Sequence, residues 1–182
     1  MIETCGTTHA HDEDKLETFM ERVKEQNVIV DGTIATAPDH IEKLWGIYNS
    51  ILISLVTSGY VHQFDVSLPH HKIYECVEYL RKELGDTIEQ VVGYGHLLDG
   101  NLDLSIVARQ YNSHQSAEIK DLVYSFVAKY NGAISSELGC GFKFRNLSHY
   151  SKGPVELKLE KMIKDVFDPK GILNPYKVLP DE

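Results

Sequence analysis

The sequence predicts an α+β fold, an antiparallel sheet with helices packed mainly on one face. Two observations carry that expectation. Residues 88–98 and 102–108 are apolar runs flanking Asp99-Gly100-Asn101, a hairpin signature because these residues tolerate the positive φ of tight turns. The stretches around this hairpin alternate between helical periodicity and short β-branched runs, so helical crossovers mix with antiparallel pairing.

Taken in order, residues 1–5 read as a short strand with no lead-in, which leaves its edge in need of a partner. A helix follows over 14–25, with Leu16, Phe19, Met20 and Val23 on one stripe. Residues 28–33, "VIVDGT", read as a second strand. Pro38 and Asp39 open a helix to about Ser58, with Leu44, Ile47, Ile51 and Leu55 at helical spacing and Gly59 after it. Residues 60–68 alternate as a strand, and Pro69 begins a helix that buries Ile73, Cys76, Val77 and Leu80 and stops at Gly85. Beyond the hairpin, a helix over 116–130 carries Ile119, Leu122, Val123, Phe126 and Val127 and ends at Asn131-Gly132. Residues 133–142 read as a strand entering a glycine-rich loop, then a helix over 155–166 and a tail punctuated by Pro and Gly.

At 182 residues and 42% hydrophobic, the chain has the size of one domain and enough apolar matter for a core. Its net charge of −9 argues against nucleic acid or an anionic membrane as principal partner, since both reward Lys and Arg. The longest apolar runs, such as Ile51 to Val56, fall far short of a membrane span. The first residues are acidic and read as neither signal nor transit peptide. Cys5, Cys76 and Cys140 are odd in number and far apart, which suits idle thiols in a reducing compartment.

Three residues stand out as candidate ligands. Across a hairpin, His96 and Asp103 are placed to face each other at ~5 Å. Glu137 precedes Gly139 and Gly141, where backbone can approach a ligand closely. One imidazole and two carboxylates suit a divalent cation such as Zn²⁺ or Mn²⁺. The ordinary alternative is a surface or core histidine beside unrelated acids. His9, His11, His70 and His71 are read as non-chelating, the latter pair sitting at a helix start. No phosphate-binding glycine loop or serine-hydrolase motif is present, and nothing adjacent in sequence activates Cys140.

The motifs "VDGTIAT", "LWGIYNSI", "GYVHQFDVSLP", "VVGYGHLLDGNLDLSI", "GAISSELGCGF", "HYSKG" and "DPKGILNPYKVLP" occur in order between Ile2 and Pro180. Together they resemble the C-terminal region of the FAD-dependent D-2-hydroxyglutarate dehydrogenases, relatives of D-lactate dehydrogenases and vanillyl-alcohol-oxidase-like flavoproteins. The resemblance implies a ferredoxin-like substrate domain, with the FAD-binding domain lying upstream in the family and expected to be missing here. It implies one domain over 1–182, an N-terminal portion 1–66 and a portion 67–182 carrying the metal- and flavin-facing motifs. It implies oxidation of a D-2-hydroxy acid to a 2-oxo acid, a metal polarising the substrate, and a histidine taking the hydroxyl proton as hydride moves to FAD.

Carried over position by position, the family's Gly-His-x-Gly-Asp-Gly-Asn-x-His keeps His96, Asp99, Gly100 and Asn101. Leu98 replaces a Gly, and Asp103 stands where the second metal-binding His would be. Glu137 matches the metal-binding Glu, and Leu138 occupies the position of the proton-accepting His. Substrate-gripping positions fall on Tyr48, Leu52, Gln63 and Ser105, and Asn174 matches an Asn placed near the flavin. The metal set implied is therefore His96, Asp103 and Glu137, with no catalytic base. Loss of an Arg and a Lys from a dicarboxylate pocket is expected to cost ~10²–10⁴ in affinity.

Three readings follow: a dehydrogenase portion inactive by itself, a non-catalytic relative kept for binding or assembly, and a small module that binds a divalent metal or small acid. Expected partners are an FAD-domain polypeptide or a second copy, and a small 2-hydroxy acid if the chain is active. The resemblance implies the mitochondrial matrix; without it the composition suits the cytoplasm.

Overall fold

A computed structural model describes residues 1–180. They form two compact units, Met1–Ile53 and the residues from Ser54 on. The boundary falls ahead of the strand beginning at Tyr60, so that strand folds with the motif-bearing residues.

The N-terminal unit contains helices α1 (His9–Glu25) and α2 (Pro38–Asn49). Residues 1–5 and 28–33, expected as strands, are irregular. They have no ladder partner among the described residues, and an isolated strand leaves its N–H and C=O groups unpaired. Val28 and Val30 are exposed. The helix expected over 38–58 is divided into α2 and a short α3 (Ile51–Val56). Ser50 stands between them, and its Oγ donates to the Ile47 carbonyl at 2.8 Å, a back-bond that disturbs helix regularity.

The C-terminal unit is built on β1 (Tyr60–Ser67), β2 (Gln90–Tyr94) and β3 (Asn101–Ala108), antiparallel in the order β1-β3-β2. Helix α4 (His70–Leu84) joins β1 to β2, and α5 (Ser113–Lys129) follows β3. Phe64 and Val66 of β1, Leu102, Leu104 and Ile106 of β3, and Val91 of β2 alternate onto one face. Cys76, Val77, Leu80 and Leu84 of α4 and Ile119, Val123, Tyr124 and Val127 of α5 complete a single core with them. Both helices therefore cover the same face, as the α+β reading requires. Helix α5 starts at Ser113, ahead of the expected 116, because the Asn112 side chain accepts the Gln115 N–H at 3.1 Å as an N-cap.

The strand expected over 133–142 shrinks to one bridge, Ser67 with Ala133, on the outer edge of β1. The succession β-α-β-β-α with a last pairing beside β1 is the split-βαβ order of ferredoxin-like sheets. Helix α6 (Pro154–Phe167) and the tail follow.

Candidate functional site

Alternation sends one set of side chains to the core and the other set to the opposite face. Gln63 pairs with Ser105, Asp65 with Asp103, and Ser67 with Asn101 across β1 and β3. On β2, Val92 pairs with Ser105 and Tyr94 with Asp103. This face of the sheet is thus polar, and it carries two of the sequence-derived substrate positions, Gln63 and Ser105, on directly paired residues. Tyr48 on α2 and Leu52 on α3 belong to the N-terminal unit, both half-buried.

The hairpin differs from its expected form. His96 lies outside β2, and the strand partner of Asp103 is Tyr94, not His96. Residues 95–100 make a wider connection with a 3-10 turn over Leu97–Asp99 and Gly100 in the left-handed region. The cause is Asn101. Its Oδ1 accepts the His96 N–H at 2.8 Å, and its own N–H reaches the His96 carbonyl at 3.3 Å. Gly95, at φ 139°, permits this, since a Cβ there would stand 2.4 Å from Asn101 Oδ1.

The central group of the site is one the sequence did not single out. Asp65 is 7% exposed. Its Oδ2 accepts the N–H groups of Ser136, Glu137 and Leu138 at 3.1, 2.8 and 2.7 Å and the Ser135 hydroxyl at 3.1 Å. Its Oδ1 accepts from Asn101 Nδ2 at 3.2 Å. Burying a carboxylate costs several kcal/mol unless donors compensate, and hydrogen bonds to a charged group recover ~1.5–3 kcal/mol each. The N–H groups of 136–138 are spent on Asp65 instead of a ladder, which explains the missing strand. Only the alternation of "HQFDVS" hinted that Asp65 faces away from the core.

Asp103 lies near this centre. Burial raises its carboxyl above the usual range, the Asn101 amide holds it down, and Asp65 and Glu137 push it up while His96 pulls it down. Burial also raises the Tyr94 hydroxyl, with Ser105 as a polar neighbour that lowers it and Asp103 raising it. His96, Asp103 and Glu137 are thus electrostatic neighbours. They are not a ligand set: among the described residues no three His, Cys, Asp or Glu side chains are arranged to hold a metal ion. The arrangement among the described residues therefore gives no support to the expected zinc or manganese centre.

Leu138, at the position implied for the base, is 76% exposed, and Leu98 is 93% exposed. Asn174 sits in the tail at φ 45°. The tail is tied down by Asp168, whose carboxylate accepts the Ile172 and Leu173 N–H groups at 3.0 and 2.9 Å and Lys164 Nζ at 2.7 Å. Arg145 donates to the Tyr176 carbonyl at 2.8 Å, and the Val178 N–H to that of Gly141. Leu173 and Tyr176, near Asn174 in sequence, are both exposed. Of the cysteines, Cys76 is buried and its thiol is pushed up to about 12, so it is inert at neutral pH.

The model of the FAD linked oxidases, C-terminal domain, matches residues 1–178. The chain belongs to this family. Relatives similar to it include the mitochondrial D-2-hydroxyglutarate dehydrogenases of Danio rerio, 43% identical over 181 residues, and Rattus norvegicus, 42% over 180. The Arabidopsis thaliana enzyme of the same name is 43% identical over 180 residues. These alignments cover 100%, 99% and 99% of this chain and 34%, 34% and 32% of the relatives. The chain therefore spans about a third of the length of the curated relatives it matches.

Proposed function

We propose that this chain supplies the substrate-facing domain of an FAD-dependent D-2-hydroxy-acid dehydrogenase. The observation that carries the reading is the match to D-2-hydroxyglutarate dehydrogenases along the whole chain. In the reaction, the C2 hydrogen leaves with its electron pair, the hydroxyl proton leaves separately, and the product is a 2-oxo acid. FAD, held by an FAD-binding domain or partner polypeptide, supplies the two-electron acceptor; a second copy of the chain is the other partner proposed. The mitochondrial matrix is the compartment proposed, after the relatives' names.

Gln63, exposed and paired with the buried Ser105 across β1 and β3, offers an amide to the acid. The charges acting around Asp103 are the carboxylates of Asp65 and Glu137 against the imidazole of His96, a poor setting for a dicarboxylate. Leu138 cannot take up the hydroxyl proton. We therefore expect weak binding and little turnover from the chain alone. The exposed Leu138 also favours a second reading, a domain that binds without catalysing.

The test is calorimetric titration of the purified chain with D-2-hydroxyglutarate, beside reduction of an artificial electron acceptor with FAD added. Weak binding without dye reduction is expected, and Gln63→Lys should tighten it about tenfold by returning one charged hydrogen bond. If neither protein binds the acid, the substrate-facing role is wrong. Sustained dye reduction by the wild-type chain would overturn the expectation of low turnover.

A further inference from the structure

Two loops distant in sequence meet at Asp65. The His96 N–H is held by Asn101 Oδ1, and Asn101 Nδ2 is held by Asp65 Oδ1. The other carboxylate oxygen gathers Ser135 Oγ and the N–H groups of Ser136, Glu137 and Leu138. The Ser136 N–H is shared with the Asp65 carbonyl at 3.2 Å, so the loop is fastened to both backbone and side chain of β1. Each end of this chain of bonds carries a side chain of the candidate site: His96 at one, Glu137 and Leu138 at the other.

We propose that Asp65 is the positioning residue of this site, clamping the Ser135–Leu138 loop and, through Asn101, the His96 turn into one preorganised wall. Three features support this. The acceptor is buried, so its bonds escape the competition with water that weakens exposed ones. Successive N–H groups converging on one oxygen fix the backbone direction at Glu137, and hence where its side chain leaves the chain. Asn101 uses its two side-chain atoms in opposite senses, accepting from the His96 turn and donating to Asp65 on β1, so the turn cannot shift without breaking a bond in the path that ends at Asp65. Asp65 acts through the residues it holds. That the wall serves a 2-hydroxy acid rests on the function proposed above, whereas the clamp itself does not.

Asp65→Asn preserves size but removes the charge and one acceptor oxygen. Residue-resolved amide exchange on the full chain should show the amides of Ser136, Glu137 and Leu138 and that of His96 exchanging roughly tenfold faster or more, with β3 and α5 core amides unchanged. Asn101→Ala, which serves if Asp65→Asn fails to fold, should accelerate His96 strongly and 136–138 only slightly. Unchanged rates at 136–138 in Asp65→Asn overturn the clamp, as does acceleration spread evenly through the sheet, which would mark Asp65 as a general stability residue. Rates at 136–138 unchanged alongside an unchanged His96 rate in Asn101→Ala overturn it if only that variant folds. Titration of D-2-hydroxyglutarate into the same proteins separates the two ideas: absence of binding by wild type and Gln63→Lys counts against the function, while the exchange pattern alone decides the role of Asp65.

Discussion

His62 stands on the core face of β1, 6% exposed, with the Tyr60 ring edge-on at 4.9 Å. Its Nε2 has no hydrogen-bond partner among the described residues. Burial lowers its pKa from the usual 6.5, and the charges of Lys120 and Lys143 lower it further. Above pH 6.5 the ring is neutral in folded and unfolded chains alike. Below it the unfolded chain takes up a proton that the folded chain refuses, so stability falls as pH drops toward and through the folded pKa. His62→Leu should remove this component. Urea midpoints at about pH 7.5 and about pH 5.5 should drop more for wild type than for the variant, and equal drops would show that His62 does not set the pH dependence. At this scale the sequence exposed candidates unevenly. His96, Asp103 and Glu137 were visible as residue types with the right chemistry. Asp65 was not, because its donors lie at Asn101 and at residues 135–138, and no local pattern announces a partner so far along the chain.

Among the elements, α4 and β2 show how closely the helix layer approaches the sheet. A Cβ at Gly93 would stand 2.6 Å from Val77 Cγ2 and 2.9 Å from Leu102 Cδ1. Gly93→Ala should therefore cost about 1–3 kcal/mol through overpacking, read as a lower urea midpoint. Combining it with Val77→Ala should cost less than the sum of the two single changes, because the second opens space for the first. A Gly93→Ala protein as stable as wild type would show that α4 moves aside without cost. Helix positions were legible because an apolar stripe at 3.6-residue spacing is local. Strands were legible only where a partner strand exists. Residues 60–67 and 101–108 pair along their length, whereas 28–33 is richer in β-branched residues and forms no ladder among the described residues.

For the molecule as a whole, the groups among the described residues that bond to the Asp65 side chain lie beyond residue 54, within the C-terminal unit. A chain beginning at Ser54 should keep slow exchange at 136–138 and at the β3 amides. Loss of that protection on removing residues 1–53 would show that the N-terminal unit is needed to form the site wall. None of the helices among the described residues is long and apolar enough to cross a membrane.

The sequence by itself determined the α+β class, the location of the helices though not all their bounds, the hairpin strands and the family, because hydrophobic period and motif order are written in neighbouring residues. Tertiary structure alone decided the rest. The register places Tyr94, not His96, opposite Asp103, because the Asn101 side chain holds the turn open. The strand expected after Ala133 was surrendered to a buried carboxylate, because its N–H groups are satisfied there. The three candidate ligands became electrostatic neighbours without becoming a metal centre, since convergence of side chains depends on how distant loops are clamped and not on which residues they contain.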